Sequence, residues 1–388
     1  MPFSALQKNL DERAAKGLLR QRQTLASQQS PHIQVEGRAY LSFCSNDYLG
    51  LANHPQLTAA LQQGAAQWGV GAGAAHLVSG HFEAHQQLEQ QLAAFVGKPE
   101  ALLFSTGYMA NLGVVQALMG KGDTIFADKL NHASLNDAML LSRADVQRYR
   151  HNDMAHLESL LQKNAQAGPT GRKLIITDAV FSMDGDLAPL PELLALCERY
   201  DAWLLLDDAH GFGVLGAQGR GILAHFGLAS RRIIYMATLG KAAGVFGAFV
   251  AAEVVVIETL VNHARSYVYT TASPPALAVA VQQSVQLIGQ GDALRAHLHV
   301  LIGKLRAGLR DLRWPLMPSQ TAIQPLLIGD NATALALSAG LRERGLWVAA
   351  IRPPTVPEGT ARLRITLSAA HTENDVDELI GALHELAG

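Results

Sequence analysis

Cysteine is nearly missing from the chain. Cys44 and Cys197 are the only two in 388 residues, far apart and without the paired spacing of a zinc site or a disulfide framework. A disulfide-stapled secreted fold is thereby disfavoured, and a reducing, cytoplasmic setting is expected. Charge of one sign is missing too: the net charge is −2 and the basic residues are scattered, their densest clusters being short ones at 19–22 and 362–364. Nothing in that distribution favours a nucleic-acid partner. No run reaches the roughly 18 uncharged apolar residues that span a bilayer. Residues 1–22 alternate charged and apolar side chains where a secretory leader is continuously apolar. Membrane contact is therefore not expected. What the chain does have is apolar residues, 49% against 16% charged, the balance of a folded globular protein. Its length suits one large domain with a smaller one.

Residues 1–45 read as an N-terminal arm, with Leu6, Leu10, Leu18 and Leu19 at near-helical spacing and a hairpin around Val35-Glu-Gly-Arg-Ala-Tyr40. From about residue 46 to 288, short apolar runs at 101–104, 124–127, 173–177, 203–206, 233–236 and 247–251 alternate with helical segments. That alternation predicts an α/β domain on a mostly parallel sheet. Residues 85–96 place Leu88, Leu92, Phe95 and Val96 on one helix face, and Pro191 stands where a first-turn proline opens a helix. A helix opened by Pro274-Pro275 runs to Gly289-Gln-Gly-Asp292, and a smaller C-terminal α+β domain is expected over 289–388. Strands are predicted there at 323–328 and 347–351, and Thr372 with Asp375 marks the start of the last helix. In Arg362-Leu-Arg-Ile-Thr-Leu-Ser368 polar and apolar residues alternate, which predicts one wet face carrying both arginines.

Chemistry concentrates where strands end. Trp203-Leu-Leu-Leu-Asp-Asp-Ala-His-Gly211 runs from an apolar strand straight into two carboxylates and a histidine, and ligands of open α/β sheets bind at carboxyl strand ends. Alone, such an aspartate is as readily a helix cap. One strand further on, Lys241 sits in a glycine-rich loop whose neighbours from 236 to 248 carry no other charge. Burial there lowers an amine's pKa and frees it for Schiff-base chemistry; the bland alternative is a lysine snorkelling from a loop. Ser-Thr-Gly-Tyr at 105–108 turns a strand into a helix, so the amides of Gly107 and Tyr108 suit a phosphate. His132 and Ser182 each follow a strand as well. Rival motifs fail on context. Gly69-Val-Gly-Ala-Gly73 follows a helix rather than a strand, and His81-Phe-Glu-Ala-His85 has its acid misplaced for a zinc-protease helix, reading instead as a surface helix. No metal is expected.

The 34-residue interval from Asp207 to Lys241, with Thr238-Leu-Gly-Lys241, resembles fold-type I, aminotransferase-like pyridoxal phosphate enzymes. Ser45-Asn-Asp-Tyr-Leu-Gly50, His132-Ala-Ser-Leu135, Phe181-Ser-Met-Asp-Gly-Asp186, Asp207-Asp-Ala-His-Gly211, Gly219-Arg-Gly221 and 270–275 are similar to the α-oxoamine synthases in particular. Ala322-Ile-Gln-Pro-Leu326, Ala350-Ile-Arg-Pro-Pro-Thr-Val-Pro357 and Gly359-Thr-Ala-Arg-Leu-Arg364 resemble the biotin-pathway branch of that family. The resemblance implies a decarboxylative condensation of L-alanine with a pimeloyl thioester, pimeloyl-CoA or pimeloyl-acyl carrier protein, by a cytoplasmic homodimer. It implies pyridoxal 5′-phosphate on Lys241 as a Schiff base, with Asp207 on the ring nitrogen and His132 stacked on the ring. Ser182 and His210 are assigned to the phenolic oxygen, and Gly107, Tyr108 and Thr238 to the phosphate. Arg364 is assigned to the amino-acid carboxylate, and Asn46, Arg20, Thr355 and Arg352 to substrate. The sequence departs from the family pattern at Ala74-Ala75-His76-Leu77 and at Phe212.

Overall fold

A computed structural model describes residues 2–168 and 171–388. They form two compact units, one of residues 46–182 and 186–298, the other of 1–45, 183–185 and 299–388.

The larger unit is built on a seven-stranded sheet. Its strands lie in the order Glu100–Phe104, Ala248–Ala252, Ile233–Thr238, Trp203–Asp207, Lys173–Asp178, Thr124–Asp128 and Asp145–Tyr149. All neighbours are parallel except Ala248–Ala252, which runs antiparallel to both of its partners. The five strands Thr124–Asp128, Lys173–Asp178, Trp203–Asp207, Ile233–Thr238 and Ala248–Ala252 are buried along almost their whole length, because helices cover a parallel sheet on both sides. The sequence did not mark Asp145–Tyr149 as a strand. It is one of the two sheet edges, its Asp-Val-Gln-Arg-Tyr is partly exposed, and an edge strand need not be an apolar run. A core of Val114, Val115, Ile125, Leu174, Leu205 and Val250, among others, fills one side. The segment read as a surface helix begins only at Glu83, so His81 precedes it, and His85 is fully buried.

In the second unit, the N-terminal helix Ser4–Ala15 ends before Leu18 and Leu19 and buries none of its residues. The hairpin His32–Val35 and Arg38–Ser42 turns through Glu36 and Gly37, both at positive φ, the backbone a tight primed turn requires. Strand Arg38–Ser42 pairs in parallel with Leu346–Trp347. Residues 1–45 thus fold with the C-terminal segment, and the division between units falls inside helix Asp292–Gly308 rather than at the glycines before it. A second sheet orders Ile323–Gly329, Ala361–Thr366 and Ala349–Ile351. The wet face expected on 362–368 is absent, since Ala361–Thr366 is the central strand and is buried throughout. Arg362 is compensated there by Asp184 Oδ1 at 2.7 Å and the Met183 carbonyl at 3.1 Å. The closing helix Glu373–Ala387 opens on the Thr372/Asp375 capping box. Among the described residues no helix is long and apolar enough to cross a membrane.

Candidate active site

Consecutive parallel strands of the larger unit deliver the chemistry at their carboxyl ends. Asp178 and Asp207 are register partners on adjacent strands, both almost wholly buried. Two carboxylates so placed do not both hold a charge cheaply. Burial, with the Asp207 charge adding to it, pushes Asp178 well above the usual carboxylate range. Asp178 also accepts the His132 backbone N–H at 2.8 Å. Asp207 is stabilised by the Ala209 N–H on Oδ1 at 3.0 Å and by the Asn111 amide on Oδ2 at 2.8 Å.

His132 caps helix Ala133–Ser142. Burial pulls its pKa down, against the opposing pull of Asp207, so the ring is neutral. Lys241 Nζ lies 2.8 Å from His210 Nε2, and His210 Nδ1 lies 2.5 Å from the Tyr48 hydroxyl. Tyr48 is 1% exposed, and its hydroxyl also reaches Asn46 Oδ1 at 3.3 Å. Asn46, Tyr48, His210 and Lys241 thus form one polar chain. Ser182 is half-buried in the turn after Lys173–Asp178.

The phosphate-binding expectation falls on helix Gly107–Leu118, whose cap is Thr106. Gly107 and Tyr108 are its first two residues, and their N–H groups have no partner among the described residues. A Cβ on Gly107 would lie 3.8 Å from Met236 and 3.9 Å from Thr238, ordinary contact distances that place the start of this helix directly beside Thr238. The Thr238 hydroxyl donates to the Gly247 carbonyl at 3.0 Å and accepts from the Gly240 N–H at 3.4 Å; to serve a phosphate oxygen, which only accepts, its single proton turns from that carbonyl. The Tyr108 side chain turns outward to Asp137. A strand-end carboxylate, an amine in an uncharged loop and a helix N-terminus are the parts a pyridine-phosphate aldehyde needs, and they fit.

In the second unit, Arg20 donates to Thr355 Oγ1 at 3.2 Å and Arg352 to the Gly17 carbonyl. Both arginines and Thr355 line a cavity of about 350 Å³, to which Arg13 adds a third guanidinium. Arg364, 7% exposed, donates to Thr366 Oγ1 at 3.0 Å.

His76, His81 and His85 also cluster, with ligand atoms within 4.8 Å of one another. His85 spends both ring nitrogens on backbone, accepting from Phe82 N–H and facing the Ser273 carbonyl. That leaves the Nδ1 atoms of His76 and His81, 3.0 Å apart, one ligand short of the three a catalytic zinc site uses.

Sequence reading missed Tyr48, Asn111, Ser134 and Asp178 as members of this site. Asp178 carried a signal as an acid at a strand end, and Tyr48 and Ser134 lie inside the motifs 45–50 and 132–135; Asn111 carried none.

The family model for class I and II aminotransferases matches residues 38–383. The chain is 64% identical to the 8-amino-7-oxononanoate synthase of Nitrosospira multiformis over 98% of this chain and 95% of that one. It superposes on the serine palmitoyltransferase of Sphingomonas wittichii at a TM-score of 0.92 with 32% identity, covering 99% and 97% of the two chains. A serine palmitoyltransferase from S. paucimobilis with PLP and myriocin bound gives 0.92 at 28% identity, with the same coverage.

Proposed function

The chain belongs to the class I and II aminotransferase family and, within it, to the 8-amino-7-oxononanoate synthases, and from that premise we propose that it condenses L-alanine with a pimeloyl thioester in biotin biosynthesis. The products are 8-amino-7-oxononanoate, carbon dioxide and the free thiol of the carrier. The cofactor is pyridoxal 5′-phosphate, which when bound supplies an electron sink for negative charge developing at the amino acid's α-carbon.

The observation that carries the reading is the Lys241 amine, set in a loop free of other charge and 2.8 Å from His210. Lys241 would hold the cofactor and, once the amino group of the substrate displaces it, its freed amine would move the α-proton. Asp207 keeps a proton on the ring nitrogen, an ionic bond that two fixed donors pre-orient. His132 covers the ring, His210 and Ser182 face its phenolic oxygen, and Gly107, Tyr108 and Thr238 take the phosphate. Arg364 clamps the alanine carboxylate with its planar guanidinium, and Asn46 borders the same ligand. Arg20, Arg352 and Thr355 receive an anionic part of the acyl donor, supported by the cavity they line.

A homodimer is supported by large apolar side chains left in solvent on the larger unit, including Val78, Leu140 and Tyr269, which are 80%, 77% and 73% exposed. A cytoplasmic setting is supported by Cys44 and Cys197 both being free thiols.

The test is an absorbance spectrum and a product assay with L-alanine and pimeloyl-CoA or pimeloyl-acyl carrier protein, for wild type and Lys241→Ala. A visible cofactor band, an alanine-dependent change and product from wild type alone are expected. Faster turnover with glycine and another acyl thioester would overturn the substrate assignment. Failure to reconstitute any chromophore would overturn the cofactor.

A further inference from the structure

We propose that Asn111 and Ser134 are positioning residues that hold His132 in its Nε2–H tautomer, so that the neutral ring presents an N–H to the reacting groups. Proton counting along one hydrogen-bonded chain leads there. Asp207, as a carboxylate, only accepts, so the Asn111 side chain must turn its NH2 toward Asp207 Oδ2, at 2.8 Å. The same nitrogen lies 2.9 Å from Ser134 Oγ and donates its second hydrogen there. Ser134 therefore accepts from Asn111 and has its single proton left for His132 Nδ1, at 2.7 Å. The Ser134 backbone N–H points at that same Nδ1 from 3.3 Å. With two donors aimed at it, Nδ1 carries no proton, and a neutral imidazole then bears its hydrogen on Nε2.

A second observation argues that Asn111 is there for this purpose. It is fully buried in helix Gly107–Leu118, and its Oδ1 has no hydrogen-bond partner among the described residues. An unpaired buried carbonyl is unfavourable, and an apolar residue of the same size would avoid it. Rotating the amide to satisfy Oδ1 would set that oxygen against Asp207. The network thus links the charge on Asp207 to the tautomer of His132 through two intervening side chains, Asn111 and Ser134.

The functional part of the inference rests on the reading of His132 as the residue over the cofactor ring; the tautomer itself does not. The test uses protein labelled with ¹⁵N-histidine, with and without cofactor, the His132 signals being assigned by their loss in His132→Gln. Wild type is expected to show an unprotonated Nδ1 and a protonated Nε2. In Asn111→Leu, which removes the amide hydrogens given to Asp207 and Ser134 at nearly constant size and frees Ser134 Oγ to accept from His132 Nδ1, and in Ser134→Ala, the second tautomer should appear. In both, kcat should fall about tenfold or more while the KM for alanine moves less than about twofold. Ser134→Ala reads the same signal should Asn111→Leu not fold. Wild-type protein with Nδ1 protonated, or both variants keeping the wild-type tautomer, overturns the proposal. So does a change confined to KM. Absence of condensation in wild type overturns the functional reading and leaves the tautomer result standing.

Discussion

Replacing His151 with glutamine should destabilise the protein at mildly acid and neutral pH and hardly at all in alkali. The imidazole bridges two carboxylates, Nδ1 to Asp128 Oδ1 at 3.0 Å and Nε2 to Asp186 Oδ2 at 2.8 Å. Burial alone would lower its pKa, but hydrogen bonds and charge from Asp128 and Asp186 outweigh that and raise it to about 10. A folded-state value above the unfolded one of 6.5 means that protonation favours the folded chain. The contribution is complete below about pH 6.5 and disappears as pH rises through about 10. Each tenfold gain in proton affinity is worth about 1.4 kcal/mol, so the full effect is about 4 to 5 kcal/mol, or roughly 3 kcal/mol once partial solvent exposure screens it. Urea unfolding of wild type and His151→Gln measures it. The gap should be roughly 3 kcal/mol near pH 6 and under about 1 kcal/mol near pH 10.5. A gap that is constant with pH, or grows with it, would refute the bridged imidazolium.

Three further outcomes are expected. Arg362→Ala strips a partner from Asp184 in an ion pair whose side chains are 4% and 18% exposed, costing about 3 to 5 kcal/mol; Asp184→Asn should melt early too, and a wild-type melting temperature in either would count against the pair. Tyr48→Phe leaves buried His210 Nδ1 without the hydroxyl 2.5 Å away, so kcat should drop about five- to tenfold, with the pH dependence of the cofactor band displaced relative to wild type; unchanged kinetics and spectra would remove Tyr48 from the site. That titration reports on Lys241 together with His210, His132 and Asp178 near it. Cys44 and Cys197, with thiols pushed up to about 12 by burial, should resist Ellman's reagent at about pH 8 until the chain unfolds; one rapidly reacting thiol in native protein would contradict this.

Most of the α/β sheet was legible because buried parallel strands are written as apolar runs, as in Ile233–Thr238. The edge strand Asp145–Tyr149 was not, since its pairing is satisfied on one side only and all of its residues but Tyr149 are exposed or half-buried. The 362–368 segment misled for the opposite reason. Alternation records which side chains share a face but not whether that face is wet, and here Asp184 and two carbonyls stand in for water around Arg362. Among site residues, Asp207 and Lys241 stood out as charges in apolar surroundings. Tyr48, Asn111 and Ser134 are uncharged, and Asn111 stands 96 residues before its partner Asp207; local sequence carries no trace of an interaction closed by tertiary packing.

Strand Arg38–Ser42 waits for a partner made some 300 residues later, Leu346–Trp347. At ribosomal speeds of about 5–20 residues per second, the hairpin leaves the exit tunnel a quarter of a minute to a minute before its edge can be covered. Through that interval its apolar Ile33, Val35 and Leu41, each no more than 5% exposed in the finished protein, are bare on a nascent chain. The pairing of this hairpin edge thus closes only after some 300 further residues have been made.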